Sequence, residues 1–106
     1  MPAAEIIKPK ITIKVVGVGG GGNNIVRCVR EKYDLDITLI GINSDLRQLN
    51  TLHKQGIAVL PIGENLTNGR GTGGRVEIGE QAAREGEKAI RAILEGADLV
   101  IIAATM

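Results

Sequence analysis

From residue 11 onward, apolar residues fall in short runs separated by periodic polar stretches. Ile11 to Val18 is rich in β-branched residues and closes on a glycine run, the pattern of a buried strand. Ile25, Val26, Cys28 and Val29 alternate with Arg27, Arg30 and Glu31 and give one apolar face. That spacing predicts a helix to about Lys32, with Asn23 and Asn24 leading in and Asn as its N-cap. Ile37 to Ile42 reads as a second strand. Asn43-Ser44-Asp45 offers capping side chains for a short helix carrying Leu46, Leu49 and Leu52, ended by Gly56. Ile57 to Ile62 is a third strand with Pro61 near its end. Gly63 to Arg75 is a loop containing Gly69, Gly71, Gly73 and Gly74. The spacing then predicts one longer helix over Val76 to Glu95. Gly79, Ala82, Ala83, Gly86, Ile90, Ile93 and Ala97 lie on one side of it, and Glu80–Arg84 and Glu87–Arg91 pair on the rest. Leu99 to Ala104 is a fourth strand.

Strands alternating with helices imply an α/β fold, a parallel Rossmann-like sheet with helices on both faces. Right-handed crossovers place the first three strands in spatial order 3-2-1. The fourth returns to the other side of the first. The switch point then lies between strands one and four, and ligands in such sheets bind there, at the carboxyl ends of the strands.

Composition narrows the function. The chain has 106 residues, enough for one domain or part of one, which buries roughly 65% of its unfolded surface. Net charge is +1, so no electrostatic footprint for nucleic acid exists. One Tyr and no Phe or Trp leave no aromatic platform for base stacking. A single Cys excludes a disulfide framework and a multi-cysteine metal site, and fits a reducing, cytoplasmic compartment. No apolar run approaches the roughly 18 residues of a membrane span, and Met1 to Lys10 lacks the apolar stretch of a secretion signal. This segment reads as an N-terminal extension.

Glycine is the informative excess, 15 residues of 106. Gly17-Val18-Gly19-Gly20-Gly21-Gly22 sits at the switch point. Phosphate binding needs backbone N–H groups aimed at the ligand with no Cβ in the way, and a following helix adds its unpaired N–H groups and positive dipole end. A plain turn does not need four consecutive glycines. The run also matches G-x-G-x-x-G, but a dinucleotide site wants an acidic residue at the end of strand two, where Asn43 stands with Asp45 two positions beyond. An NAD(H)-binding module therefore stays open as an alternative. A P-loop is excluded, because no Lys-Ser or Lys-Thr follows the glycines. A second glycine loop, Gly69-Arg70-Gly71-Thr72-Gly73-Gly74, follows strand three on the same sheet edge, as if a phosphate chain were held from two sides.

Four ordered segments resemble the FtsZ family, the tubulin-like cell-division GTPases of bacteria and archaea. Ile13 to Asn24 resembles the family's first nucleotide loop, and Ile42-Asn43-Ser44-Asp45 its second-loop Asn-Thr-Asp segment. Leu66 to Gly74, with Glu77-Ile78-Gly79, resembles the third loop. Gly96 to Val100 and Ala103 to Met106 resemble the strand leading to the tubulin signature. The likeness covers nearly the whole chain after Lys10. Asn23 stands where many bacterial members have a further glycine, and the Asn-Asn pair is similar to the archaeal form. Arg75-Val76-Glu77 replaces the usual Asn-Pro-Glu or Asp-Pro-Glu, and Thr72 replaces the common Ala.

The resemblance implies that Gly19, Gly20, Gly21, Gly22, Asn23 and Asn24 line GTP or GDP. It implies that Asn43 and Asp45 lie near the phosphates and an accompanying Mg²⁺. Gly71, Thr72 and Gly73 would sense the γ-phosphate through backbone amides. No residue of the chain is expected to ligate a metal on its own or to be catalytic. The family continues beyond Met106 with a Gly-rich signature loop, a central helix and a second domain whose acidic loop completes hydrolysis in the next subunit. Residues 11–106 are thus expected to be the first half of a GTP-binding domain in a filament-forming protein, binding nucleotide weakly and not hydrolysing it alone. A non-binding, self-associating fragment is the other alternative.

The remaining expectations concern single residues and one edge. Leu99 to Ala104 is apolar, uncharged and free of proline, so as an edge strand it favours self-association or pairing with a complementary FtsZ-like chain. Cys28 is expected to pack in the core, Tyr33 to pack at the end of the first helix, and His53 to be solvated near a helix C-terminus. Neither nucleic acid nor direct membrane contact is expected.

Overall fold

The computed structural model describes residues 11–33, 36–63, 68–71 and 75–105. In chain order the elements are β1 (Ile13–Val18), α1 (Gly19–Lys32), β2 (Thr38–Asn43), α2 (Leu46–Lys54), β3 (Ala58–Pro61), α3 (Val76–Glu85), α4 (Glu87–Leu94) and β4 (Leu99–Ala104). The four strands form one parallel sheet in the order β3-β2-β1-β4. That is the order the right-handed crossover rule demands. Val18 sits opposite Ile42 on one side and Ala104 on the other, so the carboxyl ends of β1, β2 and β4 finish level with one another.

Alternation along the strands divides the core between the two faces. Val15 and Leu39 point to one face and pack with Val26 of α1, Leu49 and Leu52 of α2, and Ile57. Val16, Ile40 and Ile42 point to the other and pack with Ile62, Val100 and Ile90, Ile93 and Leu94 of α4. Ile40, Ile42, Ile57 and Val26 are the largest side chains fully withdrawn from solvent. No helix among the described residues is long and apolar enough to cross a membrane.

The two faces are covered unequally. α4 has no fully buried residue, and only half-buried Ile90, Ile93 and Leu94 meet the sheet. A polar tether supplements them. The Lys14 ammonium donates to the carbonyls of Ile93 and Glu95, each at 2.8 Å. These are orphan carbonyls at the C-terminal end of α4, where a cation also meets the negative end of the helix dipole. On the outer side of the same helices the expected ion pairs form, Arg84 to Glu80 at 2.7 Å and Arg91 to Glu87 at 2.9 Å.

Several expectations need correction. The helix expected over Val76 to Glu95 is two helices broken at Gly86, where ψ is 4° and a Cβ would lie 2.7 Å from Ile62 Cγ2. The break lets the chain bend while staying close to the sheet. α1 begins at Gly19, ahead of Asn23, and its N-cap is Val18 rather than asparagine. Cys28 is exposed, because Val26 is the residue that fully faces the sheet and Cys28 projects 200° away from it. Tyr33, at the end of α1, is 60% exposed and lines a shallow hollow with Cys28, Val29 and Lys32. β1 and β3 are each shorter than expected, starting at Ile13 and Ala58.

Replacing Lys14 by Met is expected to lower stability by about 1–2 kcal/mol, since two charge-assisted bonds to helix carbonyls are lost while the stem's packing is kept. Urea unfolding of the two proteins measures the difference, and protection of the α4 amides against hydrogen exchange should fall first.

Candidate functional site

β1 passes into α1 without a linker. Val18 is the last strand residue, Gly19 the first helical one. Gly19 makes the turn with φ at +75°, a conformation that side chains resist. α1 then crosses the ends of β1 and β4 at very short range. A Cβ on Gly22 would collide with the Ala103 carbonyl oxygen and lie 3.0 Å from the Gly17 carbonyl carbon. A Cβ on Gly21 would strike the Thr105 hydroxyl, and one on Gly17 would strike the Gly22 carbonyl. The glycine run therefore has two jobs. Gly17 and Gly22 let backbone meet backbone and Gly21 makes room for the Thr105 side chain, whereas Gly19 and Gly20 border a cleft.

The first turn of α1 carries no side-chain cap and no acidic residue. Its leading N–H groups have no intrahelical acceptors, and the positive end of the dipole has no counter-charge from its own helix. Around Gly19 no atom outside the adjacent chain lies within 4 Å of the place a Cβ would take. The space beside Gly19 is open to the cleft.

A buried amide network fixes this edge. The Asn23 carboxamide donates to the Gly17 carbonyl at 2.9 Å and the Ile42 carbonyl at 3.3 Å, so it ties the ends of β1 and β2. Asn43 donates to Asn23 Oδ1 at 2.9 Å and to Gln48 Oε1 at 3.0 Å. Its own Oδ1 accepts from the Asp45 N–H at 3.0 Å. Asn23 is 3% exposed and Asn43 7%. Asn23, Asn43 and Gln48 thus form one chain of bonds from the first glycine loop to the first turn of α2.

Asp45 caps α2, accepting from the Arg47 N–H at 2.9 Å. The Arg47 guanidinium also meets this carboxylate, at 3.3 Å. Hydrogen bonding from Arg47 is the main cause holding the Asp45 carboxyl below its usual value of 3.8. Across from Asp45 the third loop docks by a single antiparallel bridge between Asp45 and Arg70, and Leu46 N–H donates to the Gly69 carbonyl at 3.0 Å.

Together these segments enclose a cleft of about 470 Å³. Gly19 and Gly20 form one wall, Asn43, Ser44, Asp45 and Gln48 a second, Arg70 and Gly71 a third, and Gly79, Ala82 and Ala83 of α3 the last. Gln48 and Gly20 separate it from a second cleft of about 360 Å³ between α1 and α2, which Asn23, Asn24, Arg27 and Thr51 also line. Of the residues expected at the site, Gly19, Gly20, Asn43, Asp45 and Gly71 border the larger cleft, and Asn23 and Asn24 the smaller. Gly21 and Gly22 border neither of these two clefts. Thr72 and Gly73 lie outside the described residues. Gln48 and Arg70 were not expected. The signal for Gln48 was Asp45-Leu46-Arg47-Gln48, the D-x-x-Q spacing of a capping box, although here Gln48 turns to Asn43.

A family model described as the Tubulin/FtsZ family, GTPase domain, matches residues 12–106. The chain belongs to the Tubulin/FtsZ family. Solved FtsZ structures from M. jannaschii align with it at the same level. A tryptophan-to-tyrosine mutant of FtsZ shares 35% identity over 90% of this chain with a TM-score of 0.79. An FtsZ dimer, described as empty, shares 38% identity over 90% of this chain, also at 0.79. The chain spans 28% and 27% of the length of those two proteins. The glycine turn, the Asn43–Asp45 segment and the Gly69–Gly71 loop are therefore parts of a Tubulin/FtsZ GTPase-domain edge.

Two predictions follow from the amide network and the cap. Asn23→Ala should cost about 2–3 kcal/mol in chemical unfolding, because two carbonyls and the Asn43 amide lose buried partners. Asp45 acts on acid stability. Its carboxyl is held below 3.8, so its contribution is complete above that value and is lost as pH falls through the lower folded-state value. Thermal melts from pH 6 down to pH 2.5 should show a steeper acid loss in the wild type than in Asp45→Asn. The gap should be under about 1 kcal/mol, because Arg47 is 83% exposed.

Proposed function

We propose that this chain binds a guanine nucleotide in the larger cleft, with its phosphates on the first turn of α1. The observation that carries this reading is the uncapped, acid-free glycine N-terminus of α1, opening into a cleft bordered by a second glycine loop, in a chain of the Tubulin/FtsZ family. Gly19 and Gly20 N–H groups would hold the phosphate oxygens, and Gly71, with Thr72 and Gly73, would approach the terminal phosphate through backbone amides. Mg²⁺ would accompany the nucleotide, held chiefly by phosphate oxygens, since the cleft's Asp45 is already paired with Arg47.

GTP hydrolysis transfers the terminal phosphoryl group to water. The residues described here would bind and orient; among them, the one carboxylate bordering the cleft is Asp45, engaged by Arg47 and capping α2. The chain by itself accordingly binds nucleotide weakly and does not turn it over. Hydrolysis would require an acid from another chain, as in a polymerising cytoplasmic cell-division GTPase. The M. jannaschii FtsZ described as a dimer supports self-association of such chains.

The NAD(H) alternative is disfavoured at the end of β2. A dinucleotide ribose wants a free acidic acceptor there, and this position holds Asn43, buried with both amide ends engaged.

Equilibrium titration with GTP, GDP and NADH, with and without Mg²⁺, tests the proposal. GTP and GDP should bind and NADH should not. Gly20→Asp should reduce nucleotide binding at least tenfold, because the new carboxylate takes the phosphate's place at the helix end; its Cβ would lie 3.2 Å from Gln48 Oε1, so Gln48 must shift slightly to admit it. NADH binding tighter than GTP, or no nucleotide binding at millimolar concentration, overturns the reading.

A further inference from the structure

We infer that Arg70 is a specificity-determining residue of the cleft, its guanidinium contacting the phosphate chain and making affinity depend on phosphate number. This rests on the phosphate-binding reading above and names a side chain which that reading does not need.

Three observations carry it. First, Arg70 borders the same cleft as Gly19 and Gly20 at the start of α1. Second, its backbone is fixed. Arg70 bridges to Asp45, and the preceding Gly69 packs so closely on Leu46 that a Cβ there would lie 2.6 Å from Leu46 Cδ1. The loop is thus anchored to the start of α2 on the cleft side. Third, its charge is unbalanced. The nearby carboxylate, Asp45, is bound by Arg47 through the main-chain N–H and the guanidinium. Arg70 makes no hydrogen bond or ion pair with a side chain among the described residues.

An arginine without a side-chain partner among the described residues and an uncapped helix N-terminus border one cleft, whose carboxylate Asp45 is already engaged by Arg47. Arginine's planar fork suits phosphate oxygens bidentately, whereas the backbone amides of the glycine turn contact a phosphate without counting its neighbours. Each additional phosphate brings charge toward Arg70. The residue therefore discriminates a triphosphate from a monophosphate more than the glycines do.

The experiment uses the full chain and three variants, wild type, Arg70→Leu and Arg70→Lys, with GTP, GMP and inorganic tripolyphosphate as probes at low and high salt. Arg70 is exposed, so the variants should melt with the wild type. Arg70→Leu should weaken GTP and tripolyphosphate about tenfold at low salt, with a smaller loss for GMP and a smaller loss at high salt. Arg70→Lys should recover part of the affinity. Equal GTP affinity in wild type and Arg70→Leu overturns the inference and leaves the nucleotide reading standing. Tripolyphosphate binding that depends on Arg70, without GTP binding, upholds the inference and overturns the guanine-nucleotide reading. If neither probe binds the wild type, both fall.

Discussion

The close crossing of α1 over the ends of β1 and β4 is the constraint from which the rest of this edge follows. Gly17 and Gly22 stand where backbone approaches backbone too closely for any side chain, and Gly21 faces the Thr105 side chain. The crossing puts the start of the helix directly at the strand end, so the first turn cannot be preceded by a conventional cap. Val18 occupies the cap position with an apolar side chain that offers no acceptor. The helix N-terminus is left electrostatically incomplete because the packing beneath it is tight.

An incomplete terminus must still be held in place, and the asparagine network does that. Asn23 projects from the same first turns and returns to the carbonyls of Gly17 and Ile42. Asn43 carries the connection to Gln48 and to the Asp45 N–H. Buried amides are costly unless satisfied, and here each end finds a partner. The segments that border the cleft are thereby rigid relative to one another without contributing a charge to it. Rigidity comes from neutral groups, and the cationic groups remain at the surface of the cleft.

The sheet order and the location of the site were legible in the sequence, for a physical reason. Parallel topology follows from alternation and handedness, and a four-glycine run leaves few places to sit except the switch point. What was hidden depended on distances rather than on patterns. Helix propensity argues against glycine, so α1 seemed to start at Asn23; only the contacts of Gly22 with Ala103 explain why helix begins at Gly19. Asn23 looked like a cap or a ligand contact, while its bonds run inward. Gly86 lay on a continuous apolar stripe, and only its closeness to Ile62 shows why glycine stands at the break between the two helices. Lys14 interrupts a strand of β-branched residues and gave no hint of the α4 carbonyls it reaches, 79 and 81 residues away in sequence. Cys28 belonged to the apolar count of α1, yet it projects away from the side that Val26 turns to the sheet.

The energetic character of the site follows from these same features. Glycine at the first four positions of α1 carries an entropic cost of order 0.5–1 kcal/mol each relative to alanine, and the uncapped N–H groups forgo a further contribution of about 1 kcal/mol. The fold accepts this because Val26, Leu49, Leu52 and Ile57 bury fully against one face behind the turn. On the proposed reading, an anion at the α1 terminus would restore the missing cap and neutralise Arg70 at once. Anything that binds the folded form alone stabilises it by mass action. Ligand occupancy and stability would then be coupled through the same N–H groups, and the local cost of the glycine edge would be offset by an acceptor from outside the chain.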